Sequence, residues 1–161
     1  MNKFFIIPVT SFLFASFLTG CASSPATEPN KPSEELVLEQ EKAKTKEEII
    51  KMQQEVIKLR RRILDDTQVK LDNAQATLND LADARQKLAD AKIKLDQLQD
   101  RQDLVVQELQ NLFQFYVDTR GKMLEQLDTG KGRAKDLYEL EIGMMETNIR
   151  LSEAILKIKE Q

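Results

Sequence analysis

The chain has 161 residues, a formal net charge of −3, no His and one Cys. Charge this near balance, with no long basic face, argues against a nucleic-acid partner. The lack of His removes the commonest general base and metal ligand. From Cys21 onward the only aromatics are Phe113, Phe115, Tyr116 and Tyr138, too few for a globular core of ordinary thickness. Neither catalysis nor a bound metal or cofactor is expected.

At the N-terminus, Lys3 precedes an apolar stretch from Phe4 to Leu18. That is the size of a signal-peptide core and short of the ~20 apolar residues of a membrane-spanning helix. It ends in Leu18-Thr19-Gly20-Cys21. A lone Cys in an exported chain otherwise suggests a reactive thiol or an intermolecular disulfide. Here the run resembles the lipobox of bacterial lipoprotein precursors, and the resemblance covers the first 21 residues. It implies a cleaved signal peptide over 1–20, with the cut between Gly20 and Cys21. It also implies a diacylglyceryl thioether on Cys21, often with an acyl group (palmitate-like) on the new amino terminus. The expected partner of that end is therefore a membrane, and the expected location is the cell envelope. In a Gram-negative cell, Ala22 in place of a retention Asp points to the periplasmic side of the outer membrane. In other cells the same signal points to the outer face of the plasma membrane. The Ser/Pro-rich run that follows completes an extended tether over 21–33.

No Gly or Pro occurs between Ser33 and Arg120, which predicts one long helix over 34–127. Ser33 suits its N-cap, and Thr45-Lys46-Glu47-Glu48 reads as a capping box should the helix restart there. Apolar residues recur at three-and-four spacing: first Ile49, Met52, Val56, Leu59 and Ile63, then Leu71, Ala74, Leu78, Leu81, Ala84, Leu88, Ala91, Leu95 and Leu98. The second run is the predicted coiled-coil seam. Irregular steps at 63–67–71 and 78–81–84 read as a stutter and a stammer. Three heptads repeat outright: LADARQK (81–87), LADAKIK (88–94) and the looser LDQLQDR (95–101).

Residues 104–117, LVVQELQNLFQFYV, are apolar around most of the helix, which predicts more than one packing neighbour. Asp128 to Arg133 carries two Gly in three positions and predicts a loop over 128–133, with Gly121 as the other candidate turn. A C-terminal helix over 134–160 follows, with Leu137, Leu140, Met144, Leu151, Ile155 and Ile158 at helical spacing. Tyr138, Ile142, Met145, Ile149 and Leu156 widen that face.

The predicted fold is all-α: a long coiled-coil helix whose C-terminal helix folds back as a helical hairpin. Two functions fit it. One is a structural or tethering lipoprotein of the envelope, similar in plan to the small murein lipoprotein but ending Lys159-Glu160-Gln161 rather than in a wall-linked Lys. A continuous helix from 34 to 120 would reach on the order of 130 Å. The other is an accessory helical binding module for an envelope transport or assembly complex. The expected protein partner is a second copy or another helical envelope protein.

Overall fold

The structure, a computed structural model, describes residues 34–160, with side chains from residue 38 onward. Residues 1–33 and 161 lie outside the described residues, and with them the expected signal peptide, Gly20, Cys21, the tether and the Ser33 cap.

Four helices follow in chain order: α1 (Glu34–Asp72), α2 (Leu78–Leu98), α3 (Gln102–Asp128) and α4 (Ala134–Lys159). The fold is all-α, and α4 folds back on α3 as predicted. Among the described residues no strand occurs, and no helix is long and apolar enough to cross a membrane. The single helix expected over 34–127 is three helices, broken at 73–77 and 99–101. Its 39-residue first segment spans about 58 Å, well short of the predicted reach. The third turn falls at 129–133, as predicted. Gly121 lies within α3.

All three turns use one device. After α1 the Gln75 N–H donates to the Lys70 carbonyl (2.7 Å) and the Ala74 N–H to Leu71 (2.9 Å). After α2 the Arg101 N–H donates to Asp96 (2.9 Å) and the Asp100 N–H to Gln97 (3.2 Å). After α3 the Lys131 N–H donates to Gln126 (2.8 Å) and the Gly130 N–H to Leu127 (2.9 Å). Each is a Schellman closure, which satisfies the orphan carbonyls of a helix end and needs a left-handed residue. Those residues are Ala74 (φ 56°), Asp100 (φ 56°) and Gly130 (φ 69°). Only the last is the Gly that a sequence reading looks for.

The restart of α2 is equally local. The Asp80 N–H donates to Thr77 Oγ1 (3.1 Å), and the Thr77 N–H donates back to Asp80 Oδ2 (2.8 Å). This is a capping box. The one expected at Thr45 is absent, because Thr45 lies inside α1 and its hydroxyl bonds the Glu41 carbonyl.

Consecutive helices run antiparallel. Gln53 donates to the Ala91 carbonyl (2.8 Å) across α1–α2, Tyr116 to Gln86 (3.0 Å) across α2–α3, and Arg120 to Glu141 (2.7 Å) across α3–α4. Helix α3 packs on both α2 and α4, as its all-round apolar sequence predicts. Helix α1 packs on α2 alone.

The heptad repeat explains why α2 sits between two neighbours. In each Leu-Ala doublet the residues stand 100° apart on the helix. Ala82, Ala89 and Ile93 join the two clusters built with α3 and α4. Leu81, Ala84, Leu88 and Ala91 are buried outside those clusters, on the side that Gln53 marks as facing α1. The predicted seam is therefore an intramolecular one. Leu95 and Leu98 flank it half-buried, whereas the half-buried Leu71 packs against the cluster that contains Leu78 and Met123. Ala74 does not belong to it and is exposed in the turn. Leu78 turns toward α3 instead, so the apparent stammer at 78–81–84 joins two different faces.

Replacing Ala74 by Gly should raise stability by about 1 kcal/mol, because a β-carbon is strained in the left-handed region. Asp100→Gly should give less, since Asp tolerates that region better, and Gly130→Ala should lower stability by a similar amount. Urea unfolding followed by circular dichroism checks all three signs. The Asp80 carboxyl is held below its ordinary 3.8 by hydrogen bonds from Thr77, so its contribution is full above that value and lost as pH falls through the folded value. The stability gap between the native chain and Asp80→Asn should accordingly be present at neutral pH and close in acid.

Candidate functional site

The interior polar groups serve packing. Glu108 of α3 is buried and accepts from both Arg85 and Lys92 of α2, at 3.0 Å each. Asp96 is buried beside Arg101, and burial pushes its carboxyl up against the opposing pull of that guanidinium. Tyr116 is buried with its hydroxyl on Gln86, and burial raises the phenol to about 12. Gly143 of α4 lies against the hydroxyl end of that ring. A β-carbon there would stand 2.8 Å from the Tyr116 hydroxyl, so a larger residue would force that ring or the helix to shift. A glycine inside an otherwise helical pattern is the signal that sequence reading passes over. Among the described residues no cluster of His, Cys, Asp or Glu is arranged to hold a metal.

The outer surface is different. On α1 the predicted run Ile49, Met52, Val56, Leu59 and Ile63 is exposed, from 38% at Ile49 to 62% at Met52. The stripe that packs on α2 lies one position along: Ile50, Ile57, Leu64 and Leu71 are half-buried, with Gln53 buried among them. Polar residues at 53, 60 and 67 hide that true seam in the sequence. Helix α1 thus carries two apolar stripes at heptad spacing, of which α2 covers one.

Helix α4 repeats the arrangement. Leu137, Leu140, Thr147 and Ala154 are buried, with Met144 and Leu151 half-buried beside them. The flanking set Tyr138, Ile142, Met145, Ile149 and Leu156 is 52–62% exposed. Beside Met145, an apolar hollow of about 400 Å³ opens between α3 and α4, lined by Phe113, Val117, Gly121 and Met144. A second hollow of about 300 Å³, lined largely by polar residues such as Asn79, Gln126 and Arg133, lies at the turn end of the bundle.

Single exposed apolar side chains are ordinary on a protein surface, whereas contiguous rows mark interaction sites. Two such rows, each about five residues long at three-and-four spacing, define the candidate site. Their geometry suits helix docking and offers no reacting group. The sequence-predicted seam over 71–98 is not part of this surface, because α1 covers it within the chain. Cys21 and Gly20 stand outside the described residues. No protein-family model, no curated protein and no solved structure matches the chain.

Removing Glu108 leaves Arg85 and Lys92 facing each other in a part-buried site. Glu108→Ala should therefore cost about 3 kcal/mol. Lys92→Ala should cost less than Arg85→Ala, because Lys92 is the more exposed of the two cations. Chemical denaturation of the three variants checks the order.

Proposed function

We propose that this protein is a lipid-anchored helical docking lipoprotein of the bacterial cell envelope. Cys21 carries the lipid, residues 22–33 form the tether, and the four-helix body presents apolar helix faces to another helical protein. The lipobox-like Leu18-Thr19-Gly20-Cys21 supports the anchor. Two or more acyl chains suffice for stable attachment, whereas one holds only marginally.

The observation that carries the docking role is the pair of uncovered heptad stripes on α1 and α4. Keeping rows of Leu, Ile and Met in water costs free energy at ~25 cal/mol per Å² of apolar surface, which a partner helix recovers. Helix-in-groove recognition reads anchors at this spacing. A purely spacing role gains less support. The body folds back on itself at 73–77, so its longest straight element is α1. Catalysis has no part in the proposal.

Two variants test it. Cys21→Ala should release the protein from the membrane fraction and abolish metabolic labelling with palmitate. Met52→Glu with Leu59→Glu should leave helicity and membrane attachment unchanged while removing a crosslinked neighbour seen with the native chain in intact cells. A membrane-bound Cys21→Ala protein, or an unchanged crosslinking pattern in the double variant, would refute the reading.

A further inference from the structure

The two exposed stripes fit each other, and we infer that α1 of one copy docks antiparallel along α4 of a second copy. This rests on the docking role proposed above and names its partner.

The stripes match in length and register. Setting Val56 opposite Met145 of the second copy places Met52 on Ile149, Leu59 on Ile142 and Ile63 on Tyr138. The polar interruptions then fall toward one end of the seam, with Ile49 meeting Ser152 and Thr45 meeting Leu156. In heptad terms every layer pairs an a position with a d position, as antiparallel helices require.

The flanks match in charge in that same register. The α1 flank nearer α2 is Lys46, Gln53 and Arg60, and the corresponding α4 flank is Glu153, Glu146 and Glu139. Docking brings Lys46 to Glu153 and Arg60 to Glu139, with Glu146 beside Gln53. On the opposite flank Arg62 meets Glu141. Arg60, Arg62, Glu146 and Glu153 make no ion pair among the described residues, whereas Lys46, Glu139 and Glu141 already pair within the chain with Asp100, Lys135 and Arg120 and would share or exchange those partners on docking. Pairing like with like fails on the same flank. An α1–α1 pair sets Lys46 against Arg60, and an α4–α4 pair sets Glu139 against Glu153 and Glu146 against itself. Charges at these flanking positions choose partners by such repulsion as much as by attraction.

A chain cannot make this contact with itself. Helix α4 meets α2 through Glu139 to Asn79 and Arg150 to Asp90. Those α2 residues stand about 150° around the helix from the Leu81–Ala84–Leu88–Ala91 side that α1 covers. Helix α1 therefore reaches its own α4 only by leaving α2.

Orientation supports the same pairing. Within one chain α1 runs antiparallel to α2, and α2 runs parallel to α4, since Asn79–Glu139 and Asp90–Arg150 keep one spacing. An α1 lying antiparallel on a neighbour's α4 is consequently parallel to that neighbour's α1. Side-by-side copies then carry their lipidated ends at the same level, as one membrane demands, whereas an antiparallel α1–α1 pair would point the anchors apart. Each copy offers one donor and one acceptor face, so the contacts either close, as a reciprocal dimer or a larger ring, or continue as a row.

The test uses full-length chains in their own membranes. Leu59→Cys and Ile142→Cys are placed on separately tagged copies, co-expressed and oxidised. The expected product is a disulfide between Cys at 59 of one tag and Cys at 142 of the other, identified by peptide mass, and absent from cells expressing either variant alone. Arg60→Glu should lower its yield roughly three- to five-fold, the size of one flanking pair. Glu139→Arg on the partner should restore it. Disulfides joining only 59 to 59 or 142 to 142 would overturn the inference, as would no disulfide at all. Thiol labelling of Leu59→Cys separates that failure from failure of the docking role. Protection in cells without self-crosslinking means that a different protein covers α1, whereas full-rate labelling means that nothing does.

Discussion

Helix α2 has to be buried on two sides at once, and the arrangement of the other helices follows from that. Its heptads supply one stripe of Leu and Ala toward α1 and a second of Ala and Ile toward α3 and α4. Ala82, Ala84, Ala89 and Ala91 are nearly or fully buried. Small side chains on adjacent faces let two helices approach the same axis closely, and packed interiors tolerate no gap at such points. A helix of this kind cannot continue straight from α1 or into α3. It must be folded between them, and the two Schellman turns at its ends do this within a few residues.

Charge completes the sandwich. Arg85 and Lys92 of α2 converge on Glu108 of α3, and Asp90 reaches Arg150 of α4. Partly buried pairs add little net stability, but they penalise any register that separates them. The Tyr116–Gly143 contact does the same for α3 and α4 through shape. The consequence lies at the edges of the fold. Among the described residues α1 packs on no helix but α2, with Lys46 also reaching Asp100 in the following turn, and no helix covers the outer side of α4, so each leaves an apolar stripe exposed.

The all-α class, the return of α4 onto α3 and the turn at 129–133 were legible in the sequence because three-and-four spacing and Gly130 announce them. The breaks at 73–77 and 99–101 were not, because Ala74 and Asp100 hold the left-handed positions where glycine is the usual marker. A signal was present in Thr77-Leu78-Asn79-Asp80, which has the spacing of a capping box. The uninterrupted Leu-Ala pattern on either side masked it. The candidate surface was legible in its residues but not in its exposure. Ile49 to Ile63 stands out in the sequence as the more apolar stripe of α1, yet α2 covers the neighbouring stripe containing Gln53. Propensity and periodicity locate apolar rows; they do not tell which row a particular neighbour will cover.

The exposure of both outer faces depends on α1 turning back at 73–77 to lie along α2. A distance between spin labels on Gln54 and Lys94, both exposed, measures this directly. The folded-back chain predicts a separation under about 20 Å, one helix spacing plus the label arms. A distance near 60 Å, the rise of an unbroken helix between those positions, would contradict the account.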